Sequence, residues 1–140
     1  LSDTDRATNR IYDAGINDAH KIIEVETCSI DNFLHNNKIK INFIKIDAEG
    51  SEQGVIEGME STIKKNNQLN IMTEFFPFLI EKYGSTPQKY LFEIKELGYN
   101  IYNILENGTL LEINKVDTTV FSNVKNYCTN LLCTKTKLNL

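Results

Sequence analysis

Three cysteines in 140 residues, odd in number and without a Cys-x-x-Cys pair, supply neither a disulfide framework nor a zinc site. Cys28, Cys128 and Cys133 are therefore expected as buried, reduced thiols. A basic excess is also lacking. The formal net charge is -4 and the lysines are scattered, which argues against a surface that tracks nucleic-acid phosphates and for a small or neutral partner. No apolar run approaches the ~20 residues needed to cross a bilayer, and no signal-peptide pattern opens the chain, so no membrane span and a cytoplasmic location are expected. The histidines, His20 and His35, form no helix-spaced ligand pair. That weighs against a metal-dependent hydrolase, and no metal site is expected.

What is present is one conspicuous junction over residues 41–59. Ile41, Phe43, Ile44 and Ile46 suit a buried strand, whereas Val55, Ile56, Met59 and Ile63 recur at the spacing of one helical face. Between them stand Asp47, Glu49 and Glu52, at a strand-to-helix turn. In an open α/β sheet the carboxyl ends of the strands are where ligands bind, so these three are the first candidates for chemistry. Carboxylates at such a place can bind a divalent cation, accept hydrogen bonds from sugar hydroxyls or act as a general base. The plainer alternative makes Glu52 a charge at a helix N-terminus and Glu49 a solvated turn residue.

A hydrophobic fraction of 41% is enough for one core and one domain. Residues 1–21 show no sustained period and read as an arm or loop, leaving residues 22–140 as the domain. Ile22 to Thr27 alternates apolar and polar, which predicts a short strand exposed on one face. Ser29 is placed to N-cap a brief helix carrying Ile30, Phe33 and Leu34, closed by Asn36-Asn37. The run from Ile41 to Asp47 predicts a central strand covered on both faces. Gly50 relieves the turn, Ser51 is placed to cap a helix running to about Lys65, and Gly54 and Gly58 on one side of it predict close approach to the sheet or to a ligand.

Leu69 to Phe75 predicts the next strand, again ending at a carboxylate, Glu74, and stopped by Pro77. The apolar segment from Pro77 to Tyr83 reads as a short helical or irregular stretch that forms a lid or pocket wall. Thr86-Pro87 opens a helix with Tyr90, Leu91, Ile94 and Leu97 as its stripe, and Gly98 stops it. Tyr99 to Leu105 and Thr109 to Ile113 flank an Asn107-Gly108 hairpin turn. Tyr127 to Thr134 predicts a last strand, antiparallel and at or near the edge. This order indicates α/β layering with an antiparallel addition.

The stretch Phe43-Ile44-Lys45-Ile46-Asp47-Ala48-Glu49-Gly50-Ser51-Glu52, followed by Val55-Ile56-Glu57-Gly58, resembles the signature of the FkbM family of S-adenosylmethionine-dependent methyltransferases. Val25 to Leu34 resembles the family's segment just upstream of that signature. Ile71-Met72-Thr73-Glu74 with Phe75-Phe76-Pro77 is similar to its next strand, and all three segments fall in the family's order. The resemblance covers about residues 22–134. It implies the C-terminal half of a class I, Rossmann-like methyltransferase sheet, mostly parallel with an antiparallel last strand: residues 41–47 as the fourth strand, 69–75 the fifth, 99–105 the sixth and 127–134 the seventh.

By the same resemblance the chain is expected to transfer a methyl group from S-adenosylmethionine to a hydroxyl of a glycan or small metabolite. Asp47, Glu49 and Glu74 take the catalytic roles, Asp47 and Ala48 lie by the cofactor, and Glu49, Gly50, Glu52 and Phe75 meet the acceptor. The family's glycine-rich cofactor loop and ribose-binding acid would lie upstream. No Gly-x-Gly occurs here, and the first residue is leucine, so a fragment that binds the cofactor weakly by itself is expected. Its exposed flank would be covered by the missing N-terminal half or another chain. The alternative from a different class is a non-catalytic remnant of the fold that serves as an interaction module.

Overall fold

The computed structural model describes residues 11, 23–35, 37, 39–114 and 127–140. The expected arm, Ile11 apart, lies outside these residues, as do Ile22 and Asn36. Among the described residues five strands form one mixed sheet: β1 (Phe43–Ile46), β2 (Asn70–Phe75), β3 (Asn100–Ile104), β4 (Leu110–Glu112) and β5 (Thr129–Thr134). Their order is β1-β2-β5-β3-β4. Five helices among the same residues accompany them: α1 (Ile30–His35), α2 (Glu52–Glu57), α3 (Glu60–Lys65), α4 (Pro77–Tyr83) and α5 (Pro87–Glu96).

The α/β class is as expected, but the pairing is not mostly parallel. β1 and β2 pair in parallel, whereas β2 with β5, β5 with β3, and β3 with β4 are antiparallel. Nor does the last strand lie at the edge. Cys133 stands opposite both Ile71 of β2 and Ile101 of β3, and Leu131 and Cys133 are fully buried. A strand that buries such residues is seated between two neighbours, where both of its hydrogen-bonding edges are satisfied.

Two further expectations are corrected. Residues 23–29 form no regular structure and residues 23–28 are exposed. Their alternation makes a strand only beside a partner that supplies the ladder hydrogen bonds, and no described strand lies there. β1 is the terminal rather than a central strand of the described sheet. One face of β1 meets the core through Ile46, whereas Phe43 and Lys45 on the other are exposed.

The main hydrophobic cluster forms on one face of the sheet, where alternate strand residues point, and Tyr102, next to Ile101 in β3, is buried on the other. Ile46, Ile71, Phe75, Ile101, Leu131 and Cys133 meet Ile56, Met59 and Ile63 from the α2–α3 segment and Tyr90, Leu91 and Ile94 from α5. Local signals set the helix starts. Ser29 Oγ accepts from the Asn32 amide at 3.1 Å, and Thr86 Oγ1 accepts from the Lys89 amide at 3.2 Å with Pro87 in the first turn. Asn107 Oδ1 accepts from the Thr109 amide within the β3–β4 hairpin, where Gly108 takes a φ of 82° that favours glycine. Among the described residues no helix is long and apolar enough to cross a membrane.

The single helix expected over 51–65 is divided into α2 and α3 at Gly58-Met59. The break is where α1 docks. Gly58 O accepts from the Asp31 amide at 3.0 Å, and a Cβ on Gly58 would lie 3.3 Å from Ser29 Cβ. Gly54 likewise leaves room for Tyr83, whose hydroxyl would stand 2.8 Å from an added Cβ. The glycines therefore admit α1 and α4 rather than the sheet or a ligand.

Asp31 completes the dock by capping α3 from outside. Its carboxylate accepts from the Ser61 amide at 2.9 Å, the Thr62 amide at 2.8 Å and the Thr62 hydroxyl at 2.6 Å. Burial opposes its charge, but the Thr62 hydroxyl, the two amides and nearby Lys65 outweigh it and hold the carboxyl below its ordinary value of 3.8. A depressed native value means stability present above pH 3.8 and lost as the pH falls through the native value. Asp31→Ala is expected to cost about 1 kcal/mol at pH 7, the usual worth of a helix cap. Urea denaturation at pH 7 and again near pH 3 should show the difference from wild type shrink at the lower pH.

Candidate functional site

The turn after β1 is built by a buried side chain. Glu52, the first residue of α2, is 1% exposed, and its Oε1 accepts from the amides of Ala48 at 2.8 Å and Gly50 at 3.1 Å. Its charge also sits at the electropositive start of the helix. Ser51 occupies the N-cap position without capping. Its hydroxyl instead donates to Ala48 O at 2.6 Å, which corrects the expected cap and adds a tie across the turn. Held this way, Glu49 adopts a φ of 52° and Gly50 one of 96°. A positive φ costs a residue with a Cβ roughly 1–2 kcal/mol, so the turn is fixed by its hydrogen bonds rather than by local preference.

Strand alternation brings the other groups to the sheet's open face, away from the core. Lys45 and Asp47, two apart, form an ion pair there, about half exposed on both sides and so weak in stability terms. On β2, Thr73 and Phe75 face the core while Met72 and Glu74 face the open side. Cys128 stands just before β5, whose Asn130 is the register partner of Glu74. The Cys128 thiol donates to Glu74 Oε1 at 3.3 Å. Glu74 Oε2 is buried and has no hydrogen-bond partner among the described residues.

The electrostatics single out Glu74. Burial raises its pKa above the ordinary 4.5, and Asp47, Glu52 and Glu49 add to the rise, with only the Cys128 hydrogen bond opposing it. Cys128 is exposed as a residue, but partial burial of its sulfur, followed by the charge and hydrogen bond of Glu74, pushes the thiol up to about 12. The pair is therefore a neutral thiol beside a carboxyl that holds its proton unusually well. Such a carboxyl is suited to taking up or giving a proton nearer neutrality than an ordinary glutamate.

The structure thus brings Asp47, Glu49, Glu52 and Glu74 to one end of the sheet, but it gives them different surroundings. Glu52, expected at the acceptor, is sealed in the turn with Gly50, and the Ala48 amide is engaged by it. Phe75, also expected at the acceptor, is fully buried and stacks on Tyr90 at 6.4 Å between ring centroids. Its side chain belongs to the core. Pro77 to Tyr83, expected as a lid or wall, is the helix α4, with Leu79 and Ile80 buried. Among the described residues no group of three or more His, Cys, Asp and Glu side chains is arranged to hold a metal ion.

Sequence reasoning missed Cys128. Only Cys133 of the expected buried thiols is buried; Cys28 and Cys128 are exposed, and all three are free. The reasoning also missed the anchor beside Cys128. Asn103 Nδ2 donates to the Tyr127 hydroxyl at 2.9 Å, and Thr129 Oγ1 donates to Asn103 Oδ1 at 2.8 Å. The available signal was the antiparallel direction of the last strand, which returns its first residues to the carboxyl ends of β2 and β3.

Two outcomes follow from this geometry. Glu52→Ala should destabilise the fold by roughly 2 kcal/mol, because two turn amides lose their acceptor, while Glu52→Gln, which keeps an oxygen, should cost less; chemical denaturation compares them. For Glu74, a raised native pKa means a contribution present below pH 4.5 and lost as the pH rises through the native value. Glu74→Gln should therefore gain stability relative to wild type between pH 4 and pH 8, by less than about 1 kcal/mol after solvent screening. A constant difference across that range would contradict the assignment.

The profile described as Methyltransferase FkbM domain matches residues 2–101. No curated protein and no solved structure matches the chain. The profile match takes in most of the sequence, including the β1 turn and β2, and the chain belongs to the FkbM methyltransferase family.

Proposed function

For this member of the FkbM methyltransferase family, we propose O-methylation, with S-adenosylmethionine as methyl donor and a hydroxyl of a glycan or small metabolite as acceptor. The observation that carries this reading is Glu74: a partly buried carboxyl at the end of a strand, with raised proton affinity and one oxygen that has no partner among the described residues. A hydroxyl oxygen must lose its proton as it gains a carbon, and Glu74 is the group suited to receive it. Asp47 and Glu49, on the adjacent turn, orient the acceptor by accepting hydrogen bonds from its hydroxyls. Positioning of this kind supplies much of the rate gain in a two-substrate transfer.

The sheet is read as the C-terminal half of a class I methyltransferase sheet. The order β1-β2-β5-β3, with β5 reversed, supports that reading. It matches the fourth, fifth, seventh and sixth strands of the resemblance, and β4 adds a hairpin outside them. The described residues do not by themselves fit the whole cofactor. Both turn amides that stand at the end of β1, those of Ala48 and Gly50, are already engaged by Glu52, and no Gly-x-Gly follows any described strand. Their contribution is the acceptor side, and the cofactor's cradle belongs to residues other than these.

The test is methyl transfer by the full-length protein as its gene encodes it, against a panel of glycan and small-molecule hydroxyl acceptors, read as S-adenosylhomocysteine formed. Glu74→Gln should lower turnover by about a hundredfold or more, with Glu49→Gln weakening it to a smaller degree. Undiminished turnover in both would remove these roles. For the 140-residue chain, calorimetric titration with S-adenosylmethionine should give no micromolar binding, and micromolar affinity would overturn the claim that the cradle is supplied elsewhere.

A further inference from the structure

Cys128 has no assigned part in the chemistry, yet its surroundings are more ordered than an incidental surface thiol requires. The residues on either side of it, Tyr127 and Thr129, both bond to the same buried side chain, Asn103. Thr129 also pairs with Phe75 in the β2–β5 ladder. The backbone that carries the thiol is therefore held to β3 and β2 together. From that place Sγ reaches Glu74 Oε1, at 3.3 Å. A glutamate side chain has three rotatable bonds, and a single directed donor on one oxygen limits where the other can point.

We propose that Cys128 is a positioning residue for Glu74: its S–H holds Oε1 and so fixes the orientation of the carboxyl that takes the acceptor's proton. This rests on the reading of Glu74 as the acceptor-side carboxyl. The thiol's second effect is on charge. The groups that act on Glu74 are Asp47 and Glu49 from the β1 turn and Glu52 from α2, all carboxylates. Lys45 on β1 feels its charge but is engaged by Asp47. Cys128 is the hydrogen-bond donor that favours the ionised form of Glu74 against these neighbours and its own burial. A donor is what a proton acceptor needs in order to be ready, unprotonated, before the acceptor arrives.

The experiment has an arm that needs no turnover. Iodoacetamide labelling of the folded protein at pH 8, followed by peptide mass spectrometry, reads Cys128 against Cys28 in the same molecules. Glu74→Gln should speed labelling of Cys128 by about fivefold or more, because the adjacent negative charge is gone, and leave Cys28 unchanged. An unchanged Cys128 rate overturns the pairing and the proposal with it. Carbon-detected NMR titration of Glu74 supplies the second arm and does not depend on that variant folding. Cys128→Ala should move its midpoint up by about half a pH unit or more, whereas Cys128→Ser, which keeps a donor, should move it much less.

In the methyl-transfer assay the acid limb of the pH profile should move with that midpoint in Cys128→Ala and return in Cys128→Ser. A profile that stays in place although the NMR midpoint moves would remove the catalytic role. Coupling in the first two arms with no turnover in wild type would sink the reading of Glu74 as the acceptor-side carboxyl, and the positioning role with it, while leaving the thiol–carboxyl bond established.

Discussion

The candidate site depends on a buried carboxylate that faces away from it. Glu52 gives up nearly all of its solvent, which for an isolated charge would be prohibitive, and recovers the loss from two backbone amides and the start of α2. One oxygen thereby fixes both sides of Glu49. Without that grip nothing in the local sequence would favour a positive φ at a glutamate, and the direction in which the chain leaves β1 would be undetermined. Asp47 and Glu49 are placed by Glu52 as much as by the strand that precedes them.

The second constraint is topological. β2 ends at the carboxyl edge of the sheet, and a parallel neighbour would have ended there too. β5 instead runs the other way between β2 and β3, so the start of one strand meets the ends of two others. This brings a thiol, a phenol and a threonine hydroxyl to the rim where the carboxylates gather. The polar contacts across that rim, Asn103 with Tyr127 and Thr129, and Glu74 with Cys128, exist because of strand direction.

What could be read from the chain alone was what neighbours in sequence decide. Asn107-Gly108 specifies its turn by backbone preference, Thr86-Pro87 its helix start by a cap and a fixed φ, and the Ile41–Asp47 run its strand by apolar pattern. The carboxylates at the ends of two strands were legible for the same reason. The failures at Ile23, Val25 and Gly58 turn on partners distant in sequence, whereas those at Ser51 and Phe75 are local. Ile23 and Val25 alternate like a strand but have no described strand to pair with. Gly58 breaks a continuous helical period because Asp31, far upstream, bonds to its carbonyl. Ser51 looks like a cap until its hydroxyl finds Ala48 O. Phe75 stands beside Glu74 in sequence yet points into the core, because adjacent residues in a strand face opposite ways.

The same reasoning divides the labour among four carboxylates that a sequence presents as one cluster. Each must answer the repulsion of the others, and each does so differently. Asp47 has Lys45, Glu52 has two amides, and Glu49 is held on the turn they define. Glu74 has only a thiol, the weakest donor of the set, and its second oxygen has no protein partner among the described residues. At Glu74 burial, with the repulsion of its neighbours added to it, works against the charge. A carboxyl so placed gains from taking a proton, and the proposed role of Glu74 rests on that property.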